Sequence, residues 1–278
     1  MSPSPVTMDQ CFVVFATVGT TSFNDFVQSL CSNPFLIAMT TYHHHHPTGQ
    51  PDNTSKSGSV DKQPELELTI QYGTGLCPLK CFPHKILNLS SVPIENNDDN
   101  SGSIILTIPC SVAHNEKTTT MYHHRMLVRW YRFIPSLASE MERADVILCH
   151  AGAGTLLEAL DIAAKSSAMT TEGLMATKKN TIINAVINSS LMDNHQSELA
   201  EELESRRHIL ITRDCVSEWT TDEGALKFWQ CVGKTKTKPF IMGCGRSDVN
   251  IHNTEGCVSG FQTMVDRIMG FIWQHNHQ

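Results

Sequence analysis

Two stretches of the chain concentrate residue types that suit charged or polyhydroxylated ligands. In the first, Cys149-His150-Ala151-Gly152-Ala153-Gly154-Thr155 runs directly into Leu156-Leu157-Glu158. Glycines lack a Cβ and let the backbone approach a ligand closely, and the N–H groups that open a helix favour an anion such as a diphosphate. Glu158 falls about one turn into the expected helix, where a carboxylate suits a bidentate contact to sugar hydroxyls better than a contact to phosphate. A plain tight turn accounts for Gly152 and Gly154 but not for His150 and Glu158. The second stretch is Leu191-Met192-Asp193-Asn194-His195-Gln196-Ser197-Glu198. Amide side chains offer donors and acceptors together, which fits a neutral polyhydroxylated ligand. Helix capping by Asp193 or Asn194 explains one residue of this group, not three.

The elements around these residues predict how they are held. Cys11 to Val18 is a nearly continuous apolar and β-branched run ending at Gly19 and Thr20, the pattern of a strand buried on both faces. Ser22 reads as the N-cap of a helix carrying Phe23, Phe26, Val27 and Leu30 at helical spacing. Further strands are expected at Leu66–Ile70, Asp145–Cys149, Thr181–Ile187 and His208–Ile211. Helices are expected at Ile134–Arg143, Gly154–Ala164 and Asn194–Ser205. Alternating strands and helices imply a parallel α/β sheet, whose ligands bind at the carboxyl ends of the strands. Phe261, Met264, Val265, Ile268, Met269 and Ile272 predict a closing amphipathic helix.

The chain has 278 residues, of which 40% are hydrophobic and 18% charged, enough apolar material for one large domain or two small ones. Its formal net charge of -7 argues against a general nucleic-acid binder. Ten scattered cysteines and no basic leader followed by an apolar run point to a reducing, cytoplasmic setting. No stretch approaches the roughly 18 apolar residues of a membrane span. Met1 to Gln10 reads as a loose leader, and polar tracts near 40–64, 88–121, 165–179 and 215–256 read as loop insertions within a domain spanning 11–274. The last of these holds Trp219, Phe228 and Trp229 but shows little regular pattern.

Thr17-Val18-Gly19-Thr20-Thr21-Ser22-Phe23, the His150–Gly154 turn with Glu158, and Leu191 to Ala200 together resemble the Alg13 family. The resemblance covers residues 11–30, 66–75, 130–164 and 181–211. It implies a single Rossmann-like domain, the C-terminal, donor-binding half of a GT-B glycosyltransferase, lengthened by polar loops. It also implies a hexosyltransferase that moves N-acetylglucosamine from UDP-N-acetylglucosamine to dolichol-diphosphate-N-acetylglucosamine. This is the second step of lipid-linked oligosaccharide synthesis for N-glycosylation. Gly152, Ala153, Gly154 and Thr155 would then cradle the diphosphate, with His150 beside it and Glu158 on the ribose hydroxyls. Asn194, His195 and Gln196 would face the sugar, and Gly19 and Thr20 would close the donor site. A membrane-anchored Alg14-like partner would supply the acceptor half and recruit the chain to the cytosolic face of the endoplasmic reticulum. No metal and no cofactor beyond the donor substrate is implied, and no residue stands out as general base for the acceptor hydroxyl. A stand-alone MurG-like transferase and a non-catalytic nucleotide-sugar-binding or scaffold protein are the competing readings.

Several local signals lead elsewhere. His43-His44-His45-His46 lies in a low-complexity tract and reads as incidental. Cys77 and Cys81 lack a second ligand pair at zinc spacing. Gly233-Lys234-Thr235 ends like a P-loop, but Phe228 stands where its first glycine is required. His123 to Arg132 reads as a strand with a charged face, with contact to anionic lipid or to the dolichol diphosphate as the competing reading.

Overall fold

The run Phe12–Thr17 forms strand β1, and all six of its residues are buried. It lies within a seven-stranded sheet of order β3-β4-β2-β1-β5-β6-β7. The other strands are β2 (Leu66–Gln71), β3 (Ser101–Asn115), β4 (Thr118–Tyr131), β5 (Val146–His150), β6 (Ile182–Val186) and β7 (Leu210–Thr212). Every neighbouring pair is parallel except β3 with β4. The helices are α1 (Asn24–Leu30), α2 (Asn33–His45), α3 (Ala138–Arg143), α4 (Ala153–Ala168), α5 (His195–Ser205), α6 (Cys215–Trp219) and α7 (Asp222–Lys234). This computed structural model describes residues 11–45, 64–83, 100–115, 118–168, 181–188 and 195–235. The expected α/β architecture is thus the observed one.

Strand periodicity divides the core between the two faces of the sheet. Phe12, Val14, Ala16 and Val18 point to the face covered by α1, α2, α6 and α7. Phe15, Ile147 and Cys149 point to the face covered by α3, α4 and α5. The first face is rich in rings. Trp219 lies 5.0 Å from Phe35 and 4.9 Å from Phe228 between ring centroids, and Trp229 lies 5.5 Å from both Phe35 and Tyr42. Aromatic pairs at such separations add packing energy beyond their area, so α6 and α7 are bolted onto α2.

The structure corrects five expectations. The 215–256 tract is helical as far as Lys234, because Ala225, Phe228, Trp229 and Val232 repeat at helical spacing and bury one side of α7. Asp214 and Thr221 cap these two helices by accepting from the backbone N–H groups of Val216 and Ser217 and of Gly224. Helix α2 extends through residues 40–45 of the supposed insertion, since Thr40 is buried and Tyr42 packs on Trp229. Within the tract near 88–121, Ser101–Asn115 and the start of β4 are strands, with Ile104, Leu106 and Ile108 buried. Helix α3 begins only at Ala138, and α1 starts after Phe23, without Ser22 as its cap. The leader, residues 46–63, 84–99 and 169–180, and the segment Phe261 to Ile272 lie outside the described residues.

The basic run of β4 is a sheet strand. His124, Met126, Val128 and Trp130 are buried, and Arg129 is committed to Glu67 on β2 and to Glu140 on α3. Arg143 reaches the same two carboxylates, at 2.8 Å and 3.1 Å. Glu67 is only 6% exposed. Burial alone would raise its pKa, but the Arg129 and Arg143 guanidinium groups outweigh it and hold the carboxyl below its ordinary value. Removing one partner of a buried pair leaves charge uncompensated, so Glu67→Gln is expected to lower stability by about 3 kcal/mol in urea unfolding. Because the folded pKa is depressed, the ionised Glu67 stabilises the fold fully above its ordinary value. That contribution is lost as the pH falls through the depressed one. The Glu67→Gln protein should therefore show a flatter loss of stability between neutral pH and acid than the unsubstituted chain.

Candidate functional site

Parallel pairing brings the carboxyl ends of the central strands to one edge. In register, Gln71 lies opposite Thr17, Thr17 opposite Cys149, His150 opposite Val186, and Val186 opposite Thr212. The turns that follow β1, β2 and β5, and the start of α5 after β6, therefore share this edge. Gly19, Thr20, His150, Gly152, Ala153, Gly154 and Thr155, read from the sequence as one site, are placed there together.

The His150 ring is set between two glycines. Gly19 has φ +64, and a Cβ built on it would stand 2.7 Å from His150 Cε1. A Cβ on Gly152 would stand 2.2 Å from His150 Nε2. These glycines are required by the histidine itself, before any ligand is considered. His150 is 7% exposed, and its Nδ1 is buried with no hydrogen-bond partner. Burial lowers its pKa, and the Thr17 backbone beside the ring opposes the shift in part. The ring is thus held towards its neutral form, able to offer an N–H to an anion without carrying a full charge.

Gly154 differs from the other two. It is exposed, and a Cβ added there would meet nothing within 4 Å. The space above it belongs to the open edge at the first turn of α4. The helix's own bonding begins with Leu156 N–H donating to the Gly152 carbonyl at 3.0 Å. The Gly152 N–H donates to the His150 carbonyl at 2.8 Å, while those of Ala153, Gly154 and Thr155 have no partner within the helix, and the positive end of a 16-residue helix sits behind them. Glu158 is on the same helix and exposed to solvent.

A polar clamp that sequence reading missed fixes the other wall. Thr17 Oγ1 donates to Gln71 Oε1 at 2.5 Å and accepts from the Gly19 N–H at 3.1 Å. Gln71 Nε2 donates to the carbonyls of Gly19 and Arg132, both at 2.8 Å. Gly73, at φ +59, carries the β2 turn under Thr21, whose carbonyl a Cβ would meet at 2.2 Å. Gln71 is buried at 2% exposure. Its one signal in the sequence is a long amide that closes the alternating run Leu66-Glu67-Leu68-Thr69-Ile70, just before Tyr72-Gly73-Thr74-Gly75.

His195 and Gln196 open α5 beyond the carboxyl end of β6, as expected, while Asn194 lies outside the described residues. A cleft of about 510 Å³ opens beside β7, lined by Asn184, Thr212, Glu218, Lys227 and Phe228 among others. None of the residues read as site residues lines it. The eight described cysteines are all free thiols.

Comparison with known proteins bears on the same edge. Residues 95–166 match the glycosyltransferase family 28 C-terminal domain, a span that contains β5, the His150 turn and most of α4. Over 95 residues the chain is 38% identical to the UDP-N-acetylglucosamine transferase subunit ALG13 of Yarrowia lipolytica, covering 33% of this chain and 40% of that protein. Over 79 residues it is 35% identical to the subunit of the same name from Homo sapiens, covering 28% of this chain and 6% of that protein. A solved structure titled as the NMR solution structure of ALG13 aligns with 84% of this chain and 90% of that one, at 17% identity and a TM-score of 0.42. The chain spans less than half the length of the curated relatives it matches. The family resemblance seen in the motifs thus recurs in comparison of the longer sequences.

The unequal surroundings of the glycines set a stability test. Gly152→Ala forces the His150 ring to move and is expected to cost about 1–3 kcal/mol, as overpacking of a closed site does. Gly154→Ala meets open space on a helix and should leave stability unchanged or raise it by up to about 1 kcal/mol. Thermal and urea unfolding of the two variants measure the difference, and equal effects would contradict the placement of the ring.

Proposed function

We propose that this chain is the donor-binding subunit of an N-acetylglucosaminyltransferase, holding UDP-N-acetylglucosamine at the carboxyl edge of its sheet. The observation that carries the reading is the coincidence of an open helix N-terminus at Gly152–Thr155 with the match to the glycosyltransferase family 28 C-terminal domain across that turn. The relatives' names, as UDP-N-acetylglucosamine transferase subunits, supply the donor and the expectation of a partner.

In this reading the diphosphate sits in the cradle of Gly152, Ala153, Gly154 and Thr155, against the N–H groups of the last three, with His150 donating beside it. Glu158 accepts from the ribose hydroxyls, and Gly19 and Thr20 bound the site from the β1 turn. Asn194, His195 and Gln196 take the N-acetylglucosamine. The acceptor hydroxyl oxygen attacks the anomeric carbon from the face opposite the diphosphate. As the new C–O bond forms, the bond to the diphosphate oxygen breaks and its electron pair leaves with UDP. The hydroxyl proton passes to a base on the acceptor side. Oriented N–H dipoles stabilise the charge that grows on the leaving diphosphate, so this contribution requires no metal.

The acceptor is dolichol-diphosphate-N-acetylglucosamine, presented by a membrane-anchored Alg14-like subunit at the cytosolic face of the endoplasmic reticulum. Among the described residues no helix is long and apolar enough to cross a membrane, and in this reading the partner provides the anchor.

Glu158→Ala is the sharpest probe because the residue is exposed and its loss leaves the core untouched. Two hydroxyl contacts to a carboxylate predict at least about a tenfold weakening of UDP-N-acetylglucosamine binding. Calorimetry on the chain alone measures that step, and transfer to a lipid-linked acceptor with the partner co-expressed measures the reaction. Undiminished transfer by the Glu158→Ala chain would remove the proposed donor site. Donor binding without transfer, in the presence of the partner, would instead indicate a non-catalytic nucleotide-sugar-binding role.

A further inference from the structure

At the end of the sheet opposite the glycine turns, three elements bring two imidazoles and a carboxylate together. His43 lies in the last turn of α2, Glu65 immediately precedes β2, and His124 is on β4. One possible ligand atom from each lies within 4.8 Å of the other two. The His43 and His124 rings stand edge to face, with centroids 6.2 Å apart. His124 Nδ1 is 2.8 Å from Glu65 Oε2. With that nitrogen donating to the carboxylate, the lone pair of the ring resides on Nε2.

His124 is 7% exposed, and its Nε2 is buried with no hydrogen-bond partner. His43 Nδ1 is buried and unpartnered as well. A carboxylate that accepts from one imidazole nitrogen while the other faces an ion is a recurrent arrangement around protein metals.

We propose that His43, Glu65 and His124 form a binding site for one divalent transition-metal ion of the zinc class. Imidazole nitrogens select such ions, whereas calcium and magnesium prefer sets made of oxygen. Ligand atoms about 2.1 Å from a tetrahedral ion lie roughly 3.4 Å from one another. Rotation of the His43 side chain at the end of α2 would bring its nitrogen to that distance from His124 Nε2. Glu65 orients His124 and offsets part of the ion's charge, and water completes the coordination. The bound ion fastens the C-terminal turn of α2 to the amino end of the sheet, a structural role separate from the donor edge. The histidine run, read as incidental from the sequence, therefore places one member in a built site.

The test uses the full 278-residue chain, stripped with a chelator and titrated with zinc chloride or magnesium chloride. Calorimetry should show one equivalent of zinc bound, zinc but not magnesium should raise Tm by several degrees, and cobalt(II) substitution should give the intense visible bands of low-symmetry coordination. His124→Ala and His43→Gln are expected to abolish the site, and Glu65→Gln to weaken it by about 10–100-fold. His45→Ala, at an exposed position of the same run, should bind as the unsubstituted chain does. Absence of zinc binding by the unsubstituted chain would overturn the proposal. So would full binding by the His43→Gln chain, or loss of binding on His45→Ala alone, which would assign the metal to the exposed run. His43 is at the half-buried end of a helix, so its variant reads the site even if His124→Ala fails to fold.

Discussion

β1 is hydrogen-bonded in parallel on both sides, to β2 and to β5, and is buried on both faces. A strand held in this way has no freedom to slip, because a shift of one residue would exchange the apolar sets that face the two helical layers. Its register therefore sets where the neighbouring turns emerge. Gly19, Gly73 and Gly152 can meet around His150 and Thr21 only because Thr17 stands level with Gln71 and with Cys149. The polar clamp of Thr17 and Gln71 then joins the β1 and β2 turns into one wall. Chemistry at this edge depends on an alignment made inside the sheet.

The same order explains why the two edges differ. At the carboxyl edge the glycine backbones are brought close to the His150 ring, whose pKa burial lowers. Elsewhere β2 and β4 carry their own charged groups. Glu67 and Arg129 are bound to each other and to α3, while Glu65 and His124 meet the end of α2. Neither group contributes a side chain to the glycine turns. Their effect is to fix strands and helices whose positions the carboxyl edge inherits.

Much of this was legible in the sequence. The apolar run of β1, the strand before His150 and the helix after Gly154 are continuous patterns in which local propensity and burial agree. The placement of Gly19, His150 and Gly152 along one edge followed from the parallel order, but the reason for two of these glycines did not. Their hydrogens leave room for a ring that approaches from a different strand, a contact that no local pattern contains. Residues 215–234 show little regular pattern because α6 is only 5 residues long and charged and polar residues interrupt the apolar ones, although Thr221 and the spacing of Ala225, Phe228, Trp229 and Val232 mark a capped helix. The His43–Glu65–His124 group was invisible for the same reason as Gln71. Its members lie on separate elements, and only the folded sheet makes them neighbours.

The β3–β4 hairpin differs from every other strand pair in the cost of its formation. Each parallel pair joins segments separated by at least one helix or by another strand, so the chain must close a long loop before the first hydrogen bond rewards it. β3 and β4 pair from Ser101 with Tyr131 to Asn115 with Thr118, and only two residues of sequence separate the two strands. Their ladder forms from local contacts, with little loss of chain entropy. Once formed, its β4 side presents Met126 to Tyr131 as a ready edge for Leu66 to Gln71. The strand that carries Gln71 can then add to an existing template, and the order of assembly can run from the outermost hairpin inward to the strand on which the binding edge rests.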